Sequence, residues 1–121
     1  MYSLDKANRD AIRRGLLKQL GYAERLPLNL DETEWSPEFE QLCRDLLVMG
    51  AFRYGRLGDK GKPQFDRMSD IENRVRLYRK TGNVVYLADI ANMARLEFVE
   101  GKHPLKHLNA DGDGYHTRIV R

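Results

Sequence analysis

Apolar residues recur at intervals of three and four along much of the chain, and no stretch alternates convincingly between apolar and polar positions. Intervals of three and four are typical of amphipathic helices, whereas strict alternation would indicate strands. The pattern therefore predicts an all-α fold: a compact bundle of about four main helices with a polar, irregular C-terminal tail and no substantial sheet.

The first predicted helix lies within residues 1–20 and is followed by a loop. Ser3 is suited to cap this helix and Gly21 to end it, because a hydroxyl satisfies free backbone N–H groups and glycine tolerates the conformation in which helices stop. The loop over residues 21–35 is rich in proline, asparagine and acidic residues. We interpret it either as an internal linker or as a strap across the core through its leucines and Trp35.

Residues 36–101 carry the remaining predicted helices, and residues 102–121 form the predicted tail. The helices are expected to begin at polar caps, which are Ser36 (followed by proline), Ser69 (in a capping-box pattern) and Asn83. Their expected ends are Gly50 or Tyr54, Lys80 and Glu100. Glycines follow the last two of these ends, as is usual for helix termini.

The composition fits a single domain of 121 residues, with a globular balance of 41% hydrophobic and 32% charged residues. No apolar run reaches the roughly 18 residues that span a bilayer. The N-terminal residues also lack the basic and apolar segments of a signal peptide. We therefore expect a cytoplasmic protein with no membrane partner. The lone Cys43 excludes an intramolecular disulfide, and its apolar setting predicts a packed thiol.

The net charge of +3 is unevenly distributed. Residues 21–50 contain two Lys or Arg against seven Asp or Glu, whereas residues 51–80 contain nine against four. This separation indicates either a polarised surface that steers charged partners, or two segments that neutralise each other across the fold. The sequence leaves both interpretations open.

The fourth predicted helix carries Asp89 and Asn92 and is apolar on two sides. Such a helix is typically central, and residues three apart project side by side, so both are expected in an apolar setting. A carboxylate held there needs a partner, because an unpaired buried charge is strongly destabilising. Either Asp89 pairs with Arg53, Arg74 or another arginine while Asn92 bonds to backbone, or the two line a ligand pocket or metal site. A different helix phase would instead leave Asp89 exposed.

A basic segment over residues 53–62 follows the second predicted helix. It contains three glycines and four cationic residues, which are Arg53, Arg56, Lys60 and Lys62. Glycine lets backbone N–H groups turn toward an anion, and the cations attract it. We interpret the segment as a site for a phosphate-bearing ligand, although it lacks the P-loop pattern; the alternative is a mobile, solvated loop. Tyr54 and Phe65 flank it and are placed either to stack a base or to anchor the loop to the core.

Three segments resemble a known family: Arg53-Tyr54-Gly55, Glu72-Asn73-Arg74-Val75-Arg76-Leu77-Tyr78, and Tyr86-Leu87-Ala88-Asp89-Ile90-Ala91-Asn92-Met93-Ala94. The chain is similar over about residues 45–100 to small phage-associated helical proteins called nucleotide modification associated domains. These look distantly like the all-α nucleoside triphosphate pyrophosphohydrolases. The resemblance implies a helical bundle, often a homo-oligomer, that handles nucleotides with Mg²⁺.

The chain departs from the metal-binding pattern of those pyrophosphohydrolases. That class holds Mg²⁺ with a Glu-x-x-Glu pair on one helix and a Glu-x-x-Asp pair on another. Here the second pair reads Tyr86-x-x-Asp89, and no Glu-x-x-Glu lies upstream on a matching helix. Asp89 is the metal ligand that the resemblance implies, and a two-metal hydrolytic site needs more carboxylates. The departure favours nucleotide binding without hydrolysis.

The sequence thus predicts non-catalytic binding of a phosphate-bearing nucleotide or nucleotide-derived signal, and the resemblance implies a phage-type sequestering or anti-defence protein. No catalytic residue is predicted, because no nucleophile is recognisably placed beside a base. The predicted ligand-binding residues are Arg53, Tyr54, Arg56, Lys60, Lys62, Arg74, Asp89 and Asn92. Two alternatives remain: a divergent Mg-dependent nucleotide pyrophosphohydrolase, and an inhibitor or adaptor that binds a host protein through the acidic surface of residues 31–40.

Overall fold

The computed structural model describes residue 14, residues 33–109 and residues 116–120. Within these residues the chain forms three helices and no strand: α1 (Pro37–Tyr54), α2 (Arg67–Thr81) and α3 (Val85–Glu100). The all-α prediction is confirmed for this part of the chain. The first predicted helix lies outside the described residues except for Arg14, which is helical, so a fourth helix stays a prediction.

Helix α1 begins where the sequence predicts it. The Ser36 hydroxyl accepts a hydrogen bond from the backbone N–H of Phe39 over 3.1 Å, and Pro37 occupies the first helical position. The helix continues through Gly50 to Tyr54, the later of the two predicted ends. There the N–H of Gly55 donates to the carbonyl of Ala51.

Helix α2 begins earlier than predicted, because Asp66 and not Ser69 is its cap. One carboxylate oxygen of Asp66 accepts from the backbone N–H of Ser69 over 3.1 Å, and the other accepts from its hydroxyl over 2.7 Å. Both residue types are good caps, and Asp66 takes the position while Ser69 becomes its partner inside the first turn. The helix ends at Thr81, followed by Gly82 in the left-handed conformation (φ 71°, ψ 9°).

Helix α3 ends at the predicted place, but Val84 and not Asn83 occupies its N-cap position, without a side-chain capping hydrogen bond. The side-chain oxygen of Asn83 accepts instead from the backbone N–H of Val85, the first helical residue, over 3.1 Å. At the other end, the N–H of Gly101 donates to the carbonyl of Glu97. The helix therefore spans Val85–Glu100 between two local hydrogen bonds.

Helix α3 packs against both α1 and α2, and these are the main contacts between helices. Among the described residues, Cys43 of α1 and Ala88 of α3 are fully buried, and Asn92 is 6% exposed. At the surface, Arg95 of α3 donates to the carboxylate of Glu40 on α1 over 2.7 Å. The sequence predicts that both apolar sides of α3 are covered by other parts of the fold. Phe98 nevertheless remains partly exposed. The buried side of the helix is the one that carries Ala88 and Asn92.

Contacts along the backbone divide the chain into two compact units. The described residues 33–102, which include all three helices, belong to one unit. Residues 103–109 and 116–120 belong to the other and contain neither helix nor strand. Within the described part of the chain, no helix has the length and apolar character needed to cross a membrane.

Candidate functional site

A cavity of about 740 Å³ lies among α1, α2, α3 and the loop that joins α1 to α2. Its volume falls within the range of small-molecule sites. Apolar side chains form much of its wall: Leu46, Leu47, Met49, Leu57, Pro63, Phe65, Met93 and Leu96. Its charged side chains are Arg53, Arg56, Lys62, Arg67, Asp70, Arg74 and Asp89. The cavity thus combines apolar walls with an excess of cations.

One face of α3 contributes four residues to the cavity: Asp89, Asn92, Met93 and Leu96. Asn92, Met93 and Leu96 follow Asp89 by three, four and seven positions, which places all four residues on a single stripe of the helix. The polar half of this stripe is Asp89 and Asn92, one turn apart. Because α3 packs against both α1 and α2, the stripe lies where these two helices meet α3.

The side chain of Asn92 is only partly satisfied. Its Nδ2 donates to the backbone carbonyl of Cys43 over 2.8 Å. Since a carbonyl only accepts, the amide nitrogen must face Cys43 and Oδ1 must face elsewhere. Oδ1 is buried and has no hydrogen-bond partner. A buried acceptor without a donor is destabilising by roughly 1–3 kcal/mol. The unpartnered Oδ1 of Asn92 therefore lowers the stability of the fold.

Arg74 lies between two carboxylates. Its Nη1 is 3.9 Å from Asp70 Oδ1, and its Nε is 3.9 Å from Asp89 Oδ2. Both distances fit ion pairs but exceed hydrogen-bond length, and the buried Nε has no hydrogen-bond partner. The guanidinium is therefore held by charge and not by directed bonds.

The expected partner of Asp89 is present, but the expected burial is incomplete. Of the arginines that the sequence offers as partners, Arg74 is the residue that approaches. The side chains of Asp89 and Arg74 are each 30% exposed, so the carboxylate is partly hydrated and not sealed in the interior. Asp89 lies on the cavity wall instead, with most of its hydrogen-bonding capacity open.

The basic loop is organised around its own acidic residue. Asp59 Oδ2 accepts from the backbone N–H of Arg56 over 2.7 Å, and the side chain of Lys62 donates to the carbonyl of Gly55 over 3.0 Å. Gly55 has a φ of 88°, and a Cβ there would lie 3.0 Å from Asp59 Oδ2. The backbone N–H of Arg56 is thus already engaged within the loop.

Tyr54 and Phe65 contact each other across the two ends of the loop. Their ring centroids are 5.7 Å apart with an angle of 75° between the planes, an edge-to-face arrangement. Both rings line the cavity and both remain exposed. The pair closes the loop at its base, and both residues keep exposed surface.

Seven of the eight predicted ligand-binding residues line the cavity: Arg53, Tyr54, Arg56, Lys62, Arg74, Asp89 and Asn92. Lys60 is exposed and does not contribute to the lining. Residues predicted from three separate segments of the chain therefore meet around one space. Among the described residues, no salt bridge involves the side chain of Arg53 or Arg56.

No protein-family model, no curated protein and no solved structure matches this chain. The resemblance to nucleotide modification associated domains thus stays a prediction.

The metal site implied at Asp89 has no supporting cluster in the described part of the chain. No three His, Cys, Asp or Glu side chains of these residues come together in a way suited to a metal ion. The cationic partner that Asp89 has is Arg74. Mg²⁺ usually requires carboxylates, waters and substrate phosphates in combination, and Asp89 alone supplies one carboxylate.

Arg67 is a cavity residue that the sequence did not single out. It forms ion pairs with both Glu97, at 3.3 Å, and Glu100, and its side chain is only 16% exposed. Glu97 and Glu100 are three apart in the last turn of α3. This Glu-x-x-Glu pair is the sequence feature that could have indicated a cationic partner. Arg67 is therefore committed to holding α2 against α3, with both acceptors partly exposed.

The buried thiol of Cys43 lies beneath the same region of α3. Burial raises the pKa of Cys43, against a smaller lowering by the nearby charge of Arg95. A thiol with a raised pKa is mostly protonated and unreactive at neutral pH. This agrees with the packed thiol that the sequence predicts, and it leaves the backbone carbonyl of Cys43, not its sulfur, as the group that bonds to Asn92.

Proposed function

We propose that this protein binds a phosphate-bearing nucleotide, or a signal derived from one, in the cavity among α1, α2 and α3. The observation that carries the proposal is the convergence of loop cations, an open aromatic ring and two polar residues of α3 on one space. A nucleotide has matching parts, since it joins an anionic phosphate chain to a flat ring with a polar edge. The function is binding without a chemical step.

The charges of the cavity favour one orientation of such a ligand. Arg53, Arg56 and Lys62 come from the end of α1 and from the loop, whereas Asp70 and Asp89 come from α2 and α3. Phosphates are attracted by the first group and repelled by the second. The phosphate chain is therefore assigned to the loop side and the base to the α3 side.

The remaining lining suits a base. Apolar side chains such as Met93 and Leu96 offer surfaces for the faces of a ring, and Tyr54 is exposed and available for stacking. Arg74 is already balanced by two carboxylates. We therefore assign it to the polar edge of the base and give the phosphates to the three cations of the loop side.

The proposal is tested by titration calorimetry of the full chain with GTP, ATP, and cyclic dinucleotides. Arg56→Glu is expected to weaken binding by about tenfold or more, because it replaces a charge-assisted hydrogen bond with repulsion. Lys60→Glu is the matched control, since it makes the same charge change in the same loop but outside the cavity lining. It is expected to weaken binding by less than about threefold through screened long-range attraction.

Raising the salt concentration from about 0.05 M to about 0.5 M is expected to weaken binding by the wild-type chain, because exposed charges are screened. If none of the nucleotides produces binding heat, the proposal is wrong. It is also wrong if Arg56→Glu and Lys60→Glu weaken binding equally, since attraction would then come from the loop surface and not from the cavity.

A further inference from the structure

We propose that the base recognised in this cavity is guanine, a step that rests on the proposed function. Two residues one turn apart on the α3 side of the cavity carry acceptors, the carboxylate of Asp89 and the buried Oδ1 of Asn92. Asn92 is 6% exposed and its Oδ1 has no donor. The nearby Nε of Arg74 is a donor with no acceptor within hydrogen-bond distance.

This set of groups is complementary to a ligand edge that has two adjacent donors beside an acceptor. Guanine offers that edge: N1–H and the N2 amino group are neighbours, and the O6 carbonyl follows. A carboxylate accepts from N1–H and N2–H together, a second amino hydrogen is left for Asn92 Oδ1, and O6 faces a guanidinium.

The other common bases fit less well. Adenine and cytosine place a ring acceptor beside their amino group, which would face the carboxylate of Asp89 and repel it. Uracil offers one N–H between two carbonyls. A buried polar group left without its partner strongly disfavours the wrong ligand, so the arrangement selects against these three bases.

For a base to reach the two unpartnered atoms, side chains of the cavity wall must move, and we assign this movement to Arg74. Both Oδ1 of Asn92 and Nε of Arg74 are out of contact with solvent. Arg74 is held by two contacts of 3.9 Å and by no hydrogen bond between its side chain and either carboxylate. A base that bonds to Asp89 takes over one of these contacts, and the guanidinium turns to meet O6 while staying paired with Asp70.

The test compares GTP, ATP, inosine triphosphate, xanthosine triphosphate and inorganic tripolyphosphate by calorimetry on the full chain. GTP is expected to bind about tenfold or more tightly than ATP, with inosine triphosphate between them because it lacks the N2 amino group. Cyclic di-guanosine monophosphate in a parallel titration distinguishes a cyclic guanine dinucleotide from a free guanosine phosphate as the source of the base.

Two variants place the preference on Asp89. Asp89→Asn offers an amide donor where xanthine has a carbonyl, so its preference is expected to shift from GTP toward xanthosine triphosphate. Asp45→Asn makes the same change at an exposed carboxylate of α1 that bonds to Gln41 and lies outside the cavity lining, and it is expected to keep the guanine preference. Circular dichroism on each variant verifies that the helices are intact.

The outcomes separate this inference from the proposed function. Equal binding of GTP, ATP and tripolyphosphate would leave the phosphate site standing and overturn the assignment of guanine. Equal binding of GTP and ATP, with loss on removal of the ribose hydroxyls, would mean that α3 meets the sugar and would also overturn it. No binding by any probe removes both proposals.

Discussion

The side-chain amide of Asn92 donates a hydrogen bond to the backbone carbonyl of Cys43 over 2.8 Å and thereby ties α3 to α1 inside the protein. The same residue holds an unpartnered oxygen beside the cavity. One side chain therefore links two helices with one end, while its other end is a buried acceptor without a donor.

Asn92→Ala is expected to lower the free energy of unfolding by about 1–2 kcal/mol, because one buried hydrogen bond is lost while one unsatisfied acceptor is removed. Asn92→Asp is expected to cost about 3 kcal/mol at neutral pH, since a carboxylate cannot donate to the carbonyl of Cys43. Urea denaturation measures both. Asn73→Ala, which removes only a bond within α2 to Arg76, is the control, and a cost equal to that of Asn92→Asp would contradict the interpretation.

Arg67→Gln is expected to destabilise the fold by about 1–2 kcal/mol. The change leaves Glu97 and Glu100 without their shared cation, and the partial exposure of both glutamates limits the cost through solvent screening. Thermal unfolding in low and high salt measures the loss. Arg76→Gln, on the exposed side of α2, is expected to change stability by less than about 0.5 kcal/mol; a similar loss in both variants would show that the Glu97 and Glu100 contacts contribute little.

Two glycine-to-alanine changes are expected to have opposite signs. Gly82 adopts the left-handed conformation after α2, so Gly82→Ala is expected to cost about 1 kcal/mol. Gly50 lies inside α1, and a Cβ there meets nothing within 4 Å. Gly50→Ala is therefore expected to stabilise the protein by about 0.5–1 kcal/mol. Denaturation midpoints of the two variants and the wild type decide the matter, and a loss of stability in Gly50→Ala would contradict the open space around Gly50.

The cap of α2 gives a pH-dependent contribution to stability. Hydrogen bonds from the Ser69 hydroxyl, and secondarily from its backbone N–H, lower the pKa of Asp66 below its ordinary value of 3.8. This contribution is fully present above pH 3.8 and is lost as the pH falls through the lower pKa of the folded state. In Asp66→Asn the amide still caps the helix but does not titrate, so the acid-induced fall in melting temperature is expected to be shallower. Identical pH profiles for variant and wild type would rule out this contribution.

The helices were predictable where a local signal has no competitor. Ser36 followed by Pro37 is one such signal, and α1 begins there. The start of α2 was not predictable in this way, because Asp66 and Ser69 are both good caps three residues apart. Only the folded backbone decides that Asp66 accepts and Ser69 donates.

Residues of the cavity were predictable by type but not by contact. The charge and glycine content indicated the loop, and the position of Asp89 on a helix with two apolar sides indicated that residue. The role of Asp59 was missed, because a carboxylate that bonds within its own loop has no distinctive spacing in the sequence. Arg67 was missed because its partners lie 30 and 33 residues away along the chain. Contacts at such separations are fixed by tertiary packing, which periodicity alone does not report.

Helices α1 and α2 both border the cavity, yet each meets mainly α3 rather than the other. A molecule bound there would contact both helices and would thereby link α1 to α2. Occupancy would then slow hydrogen exchange in both outer helices at once, and at a concentration of a hundred times the dissociation constant it would raise the unfolding free energy by about 2.7 kcal/mol.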